Sequence, residues 1–485
     1  MQTEFRNSIT SIPSTYARAL GQSLLVWAMS LVALLSPWTD TVPRKVLFLA
    51  TPLVFSTWIT LLHPAEGFAV WSLGLTVLVS QTGYQLDLGR FRTSALELVL
   101  VGLLVLLPLA RKWGRLPRLP ALPGQRLFAG FVLYALGALA FSLAQGTRLD
   151  LALPQFKGFL LYPLMAYVLL AGLSRHHLLR WISLLAIGWY MVVALVGMLQ
   201  FIQGSQGGAQ LFRASGDYAP INVFGITLTA ISLFALGISL HDERHVIRGV
   251  GTLVAVWIFL GAIASVSRSV WIAFGFGLLA LFLGRSRRGI LLQIALLAAV
   301  LLLVLLPNPV THRVLQLSDS STQRRLFYLE SGWQAWRARP LLGWGWGQAF
   351  SYIPGIGLLR TGWIPWYHND YLNLAVQTGL VGLGLYLAFW LQVLRQGHGW
   401  LRQHAGTATA GYVHGSLAAL VALLVAATFE HVLWRADIAG LVGWLLGILA
   451  VAMHLEQGEG KPLVDVEGRR FGLRQSDLWE KVRRR

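Results

Sequence analysis

Three basic side chains stand out in the 485-residue chain because each sits where a long apolar run meets a short polar one. Arg213 lies in Leu211-Phe212-Arg213-Ala214-Ser215-Gly216, Arg268 in Ser265-Val266-Ser267-Arg268-Ser269, and His368 in Tyr367-His368-Asn369-Asp370-Tyr371-Leu372. Charge inside or beside a bilayer is costly, so ionisable groups retained there tend to mark function. A guanidinium is a planar, permanently charged fork that matches pairs of phosphate oxygens. An imidazole, with an ordinary pKa of about 6.5, is the natural proton acceptor at neutral pH. Two such forks and one such base suit chemistry on a phosphate-bearing molecule. Each residue also has a plainer reading, an arginine snorkelling to headgroups or a histidine hydrogen-bonded at a helix start.

The elements that must position them are membrane spans. The chain is 55% hydrophobic and 12% charged, whereas soluble domains average about 45–50% and about 25%. That much apolar surface cannot be buried in one water-soluble core. Up to fourteen runs approach the roughly 20 apolar residues a spanning helix needs. They centre near residues 20–36, 46–62, 67–82, 95–110, 127–144, 156–172, 181–202, 220–240, 250–265, 269–284, 290–306, 379–394, 412–429 and 437–454. The fold class this predicts is an all-α polytopic membrane protein of about 12–14 transmembrane helices. The organisation reads as N-terminal helices over 1–202, helices with arginine-bearing loops over 203–306, a long loop over 307–378, C-terminal helices over 379–454 and a basic tail over 455–485. The formal charge is +19. Its basic residues are scattered through short loops rather than gathered on one polar face, which points to a lipid bilayer and phosphate groups and away from nucleic acid. There are no cysteines, which excludes disulfides, thiolate metal sites and a cysteine nucleophile.

Orientation follows from the clusters Arg111, Lys112, Arg115, Arg118 and Arg285, Arg287, Arg288, which anchor their loops in the cytoplasm. Arg44, Lys45, Arg90 and Arg92 run against this bias. With both termini inside, Arg213, Arg268 and His368 all fall on the outer face. So does the 307–378 segment, whose length suits a functional loop. It carries Trp333, Trp336, Trp344, Trp346, Trp363 and Trp366, and its stretch Thr322–Arg339 predicts a helix stopped by Pro340. Gly343-Trp344-Gly345-Trp346-Gly347 permits tight turns and close backbone approach, but it lacks the lysine of a phosphate-binding loop. Arg324 and Arg325 could join the other arginines as a positive clamp. Glu430 and His431 could orient an arginine or bind a second substrate, with an ion pair to Arg435 as the structural alternative. Asp370 is an alternative base to His368. The chain has no Asp-x-Asp pair outside the Asp465-Val466-Glu467 approximation in the tail. No metal or other cofactor is therefore called for, since hard cations want several oxygen ligands.

His368-Asn369-Asp370-Tyr371-Leu372, followed by Leu374, Gly379 and Gly382, resembles the signature of the bacterial O-antigen ligase and O-antigen polymerase superfamily. Arg213 to Gly216 with Pro220 and Asn222 is similar to a second family element, differing by one extra residue between proline and asparagine. Ser267-Arg268 resembles a third. Arg325 to Trp336 with Pro340 and Gly343 to Gly347 resembles a fourth. The elements occur in family order over roughly residues 200–400. The resemblance implies a C-type glycosyltransferase-like architecture in the bacterial inner membrane, with its active site facing the periplasm. It implies an undecaprenyl-diphosphate-linked glycan as donor, a lipid A core or other glycan as acceptor, and metal-independent transfer with inversion. On that reading His368, Arg268 and Arg213 are catalytic, and Arg324, Arg325, Asn369, Asp370, Asn222 and Glu430 bind substrate. A polymerase using a second lipid-linked repeat and a protein O-oligosaccharyltransferase share the donor chemistry and are alternatives. The short region after the signature weighs against protein glycosylation. A polysaccharide transporter would place charges near the bilayer centre; here they collect at one face.

Overall fold

The computed structural model describes residues 121–147, 149–172, 176–205, 221–282, 320–347, 367–433 and 435–458, a hairpin at 85–94 and scattered positions between 54 and 112. The predicted runs near 20–36 and 290–306 lie outside the described residues, and those near 46–62, 67–82 and 95–110 lie largely outside them. The hairpin pairs β1 (Gln85–Leu88) with β2 (Phe91–Ser94) antiparallel, Asp87 opposite Arg92. All other described elements are helices: α1 (Gln125–Ala144), α2 (Leu149–Gly172), α3 (His176–Ser205), α4 (Ile221–His241), α5 (His245–Ile263), α6 (Arg268–Phe282), α7 (Ser320–Ala338), α8 (Asp370–His404), α9 (Ala410–Ala426) and α10 (Ala436–Gly458). Six of the described helices are long and apolar enough to cross a membrane, and α6 and α9 are shorter apolar helices. The chain is an all-α polytopic membrane protein, as its composition predicts. α7 falls within two residues of the expected helix and ends before Pro340, whose missing N–H and fixed φ cannot extend it.

Apolar helices gain little from burying side chains against one another when lipid is the alternative, so close backbone packing at small residues holds them. α4 is buried on almost every side. A Cβ on its Gly237 would lie 2.2 Å from the Gly415 Cα of α9, and one on Gly411 would lie 3.0 Å from Ile238. These contacts set α4 and α9 antiparallel. Gly447 of α10 packs equally closely on Ala166 and Leu169 of α2. The outward faces of α1 and α5 present Leu133, Leu136, Val250 and Leu253 to the surroundings. Because α4, α5 and α6 alternate, as do α8, α9 and α10, the starts of α4, α6, α8 and α10 and the ends of α5 and α9 meet at one end of the bundle.

α8 is broken at Gly379, whose φ of 66° and ψ of −170° suit only glycine. A break frees carbonyls on one side and amides on the other, and buried backbone groups must find partners. The segment after α7 supplies them. Trp344 N donates to Val376 O (2.9 Å) and Gly345 N to Gln377 O (2.8 Å). Leu380 N donates to Pro340 O (2.8 Å) and Val381 N to Leu341 O (3.3 Å). Gly343, Gly345 and Gly347 all have positive φ, which lets the strand pass this close. Trp346 then plugs the gap: it is fully buried, donates Nε1 to Ala135 O at 2.9 Å, and meets Phe156 and Phe159 at 5.8 and 5.7 Å. Trp344 donates Nε1 to Ala335 O at 2.8 Å and carries the Arg339 guanidinium 4.1 Å over its ring. The glycine–tryptophan run is thus an interlock between the long loop and the bundle.

A Cβ on Gly379 would fall 2.0 Å from Leu341 O, whereas one on Gly384 meets nothing within 4 Å. Gly379→Ala is therefore expected to cost roughly 3 kcal/mol or more and to lower the yield of monodisperse protein in detergent. Gly384→Ala should match wild type in the same size-exclusion thermal-shift measurement. Equal behaviour of the two would remove the interlock as a determinant of the fold.

Candidate active site

The start of α8 is pinned to the end of α9. Asn369 caps α8, its Oδ1 accepting from Leu372 N at 2.9 Å. Its Nδ2 donates to Thr428 O (3.1 Å), Asp370 N to Ala427 O (2.8 Å) and Tyr371 OH to Leu424 O (2.7 Å). His368 takes a left-handed φ of 51° to lead into this cap. Burial pushes the phenol of the neighbouring Tyr367 up to about 12 and keeps it neutral.

Across from His368 is Glu430, in the turn after α9, with its side chain 6% exposed. A carboxylate that deep needs partners, and three distant elements provide them. Asn222 Nδ2, at the start of α4, donates to Oε1 at 2.7 Å. Arg325 Nη2, from α7, donates to the same oxygen at 2.5 Å. His368 Nδ1 faces Oε2 at 3.4 Å, a long contact of the kind that tightens when substrate binds. The Tyr328 ring, one turn along α7 from Arg325, lies 5.8 Å from the imidazole and tilted 30° to it. Arg325 and His368 remain 30% and 34% exposed, so the cluster opens outward on one side. An ionised carboxylate only accepts, so toward it Nδ1 is the donor, and Nε2 is the ring nitrogen left for other partners. That is the arrangement of a base held by a carboxylate.

Arg268, the first residue of α6, is half-buried between Ser267 and Ser269, whose hydroxyls are 2.9 Å apart. It stands at the same end of the bundle. One on Gly225, a turn into α4 from Asn222, a Cβ would lie 2.3 Å from Ser265 Oγ and 2.6 Å from Val270. Arg324 is exposed beside Arg325. Arg213 lies outside the described residues, as do Trp363 and Trp366. Asp370 is 1% exposed. Its Oδ2 accepts from Val432 N (2.9 Å) and Leu433 N (2.7 Å), and its Oδ1 lies 2.7 Å from His431 Nδ1. The sequence offered Glu430 as a possible partner of an arginine, and the arginine is Arg325. Tyr328 was not anticipated; its spacing of three from Arg325 puts the two on one helix face. Nor was the meeting of His431 with Asp370. Among the described residues no group of three or more His, Asp or Glu side chains is placed to hold a metal ion.

Fold and cluster together define a polytopic membrane protein with a polar, partly open site at one end of its helices. Residues 253–387 match the family model described as O-antigen ligase, which supports the chain's likeness to the O-antigen ligase superfamily of ligase- and polymerase-type enzymes. The match covers Arg268, Arg324, Arg325, His368 and the α8 interlock, while Asn222 and Glu430 lie to either side of it. No curated protein matches the chain.

Glu430→Ala strands Arg325, Asn222 and His368 together and should cost roughly 1–3 kcal/mol. Arg325→Met in that background should then cost less than in wild type, by a coupling on the order of 0.5–3 kcal/mol. Thermal unfolding of the two single variants and the double variant measures it, and strict additivity would mean that Arg325 and Glu430 do not work as a pair.

Proposed function

We propose that the protein transfers a glycan from undecaprenyl diphosphate to a hydroxyl of a lipid A core acceptor, on the periplasmic face and without a metal. The observation that carries this reading is the Glu430 carboxylate facing His368 Nδ1 while it binds Arg325. His368 Nε2 takes the proton of the acceptor hydroxyl as its oxygen bonds to the anomeric carbon from the side opposite the leaving group. The bond from that carbon to the diphosphate oxygen breaks, and the electron pair leaves with the diphosphate. Inversion follows from this single displacement. Arg268, Arg213 and Arg324 offset the charge that grows on the departing oxygen, where preorganised cations act most strongly. Arg325 is paired with Glu430, and the other oxygen of that carboxylate faces His368, where it stabilises the imidazolium as it forms. Asn369 shapes the helix start that presents His368.

His368→Ala is expected to abolish transfer in a reconstituted assay with lipid-linked donor, while the protein stays inserted and abundant. Retained transfer would show that another group takes the proton. Running the assay with a lipid A core acceptor against a second lipid-linked repeat separates ligase from polymerase chemistry. Because no Asp-x-Asp pair is available to hold a divalent ion, transfer should persist in excess chelator. Strict dependence on magnesium or manganese would count against an arginine-based clamp.

A further inference from the structure

We propose that Asp370 and His431 are a positioning pair that fixes the Glu430 turn to the start of α8, and that neither group handles substrate. The inference rests on the glycosyl-transfer reading and extends it. Asp370 grips both sides of Glu430. Its backbone N–H binds Ala427 O at 2.8 Å, three residues before Glu430. Its carboxylate holds the three residues that follow: Val432 N and Leu433 N at 2.9 and 2.7 Å on Oδ2, and His431 Nδ1 at 2.7 Å from Oδ1. Oδ2 is thereby engaged by two backbone amides, and Oδ1 faces the His431 ring inside the protein. The amide Nδ2 of Asn373, fully buried one turn along α8, lies 3.2 Å from the same Nδ1.

The geometric consequence lies two residues away. His368 precedes Asp370 by two positions, so the peptide that carries the imidazole and the turn that carries its carboxylate share one anchor. The contact between His368 and Glu430 is already long at 3.4 Å. Slackening the anchor would lengthen it and loosen Arg325 with it. A misplacement of about 1 Å at a reacting group costs on the order of 100-fold in rate, so Asp370 acts on turnover through Glu430 without touching the sugar or the diphosphate.

The test uses the full chain in lipid nanodiscs with the lipid-linked donor. The variants are Asp370→Ala, Asp370→Asn, His431→Ala and His431→Asn. Transfer kinetics are read beside hydrogen exchange at the Val432 and Leu433 amides, which needs no substrate. Asp370→Ala should lose on the order of 100-fold in kcat with KM changed only a few-fold, and both amides should exchange at least tenfold faster. Asp370→Asn keeps an oxygen for the two amides, and His431→Asn keeps an N–H near the place of Nδ1. Each should recover most of what its alanine counterpart loses, in rate and in protection alike. Wild-type kcat in Asp370→Ala overturns the proposal. So does a His431→Asn variant as inactive as His431→Ala with its amides still protected, because His431 would then move a proton itself. If Asp370→Ala fails to insert, the asparagine variants and His431→Ala decide the matter. If the wild type transfers to no acceptor, the glycosyl-transfer reading fails, and the exchange data alone still support or refute the anchor.

Discussion

A carboxylate buried at the end of an apolar bundle must be neutralised by partners or lose its charge, and Glu430 is such a carboxylate. Its partners come from the start of α4, from α7 and from the residue before the α8 cap, elements separated by up to 208 positions in sequence. Their convergence is energetically coupled: remove the carboxylate and each partner loses its acceptor while the others feel the change. The cluster therefore specifies geometry as much as stability. It sets which imidazole nitrogen holds the lone pair, since an ionised carboxylate bound by an arginine can only accept from Nδ1. The site's chemistry follows from a burial requirement.

A second constraint brings α7 to the bundle so that Arg325 can reach Glu430. α7 is polar on average and would not enter lipid by itself. It is held by the residues that follow it, because the break at Gly379 leaves backbone groups that only an intruding chain can satisfy. Pro340 to Gly347 does this with four backbone hydrogen bonds to 376–381. Non-helical backbone at this depth is tolerated only where protein covers it, and Trp346 supplies much of the cover. Gly379 and Gly382 in one motif and Gly343 to Gly347 in another thus belong to one device. A Cβ on Gly382 would lie 2.2 Å from Thr378 Oγ1, so the second glycine tightens the same break.

Much of the helical framework was legible because its signal is local. Runs of twenty apolar residues between polar loops mark spans whatever their packing, and the predicted runs from 127 to 284 and from 379 to 454 each correspond to a described helix. The boundaries were less legible. α8 begins at Asp370, nine residues before its predicted core, because Asn369 caps it and because the interlock lets one helix continue past a broken residue. Of the site, residue types gave the chemistry and spacing gave the likeness to a family. What they could not give was pairing. Glu430 and Arg325 are 105 residues apart, and nothing in their local sequence couples them. Asp370 reads locally as a base, since a carboxylate beside a histidine at a membrane edge invites that role; only the fold shows it buried, with Oδ2 bound by two backbone amides and Oδ1 facing His431. Tryptophans read as an interfacial belt divide the same way: Trp333 is half exposed, whereas Trp346 is a buried plug.

The helix starts around the site give that end of the bundle a polarity of its own. Among the described helices, the starts of α4, α6 and α8 bring Asn222, Arg268 and the His368 cap to that end, beside the end of α9. Each helix start carries unsatisfied N–H groups and about half a positive charge, and each end the opposite. The starts of α4 and α8 turn such N–H groups toward the site, and Arg268 and Arg324 add positive charge at the same end. Such an end suits anions. It suits the Glu430 carboxylate, and under the proposed function it suits a diphosphate as well. The two effects compete, because Glu430 is itself an anion within the site. Tying its Oε1 to Asn222 and Arg325 resolves that competition: the carboxylate's charge is used up locally, and the field of the helix starts and of Arg268 remains for the substrate.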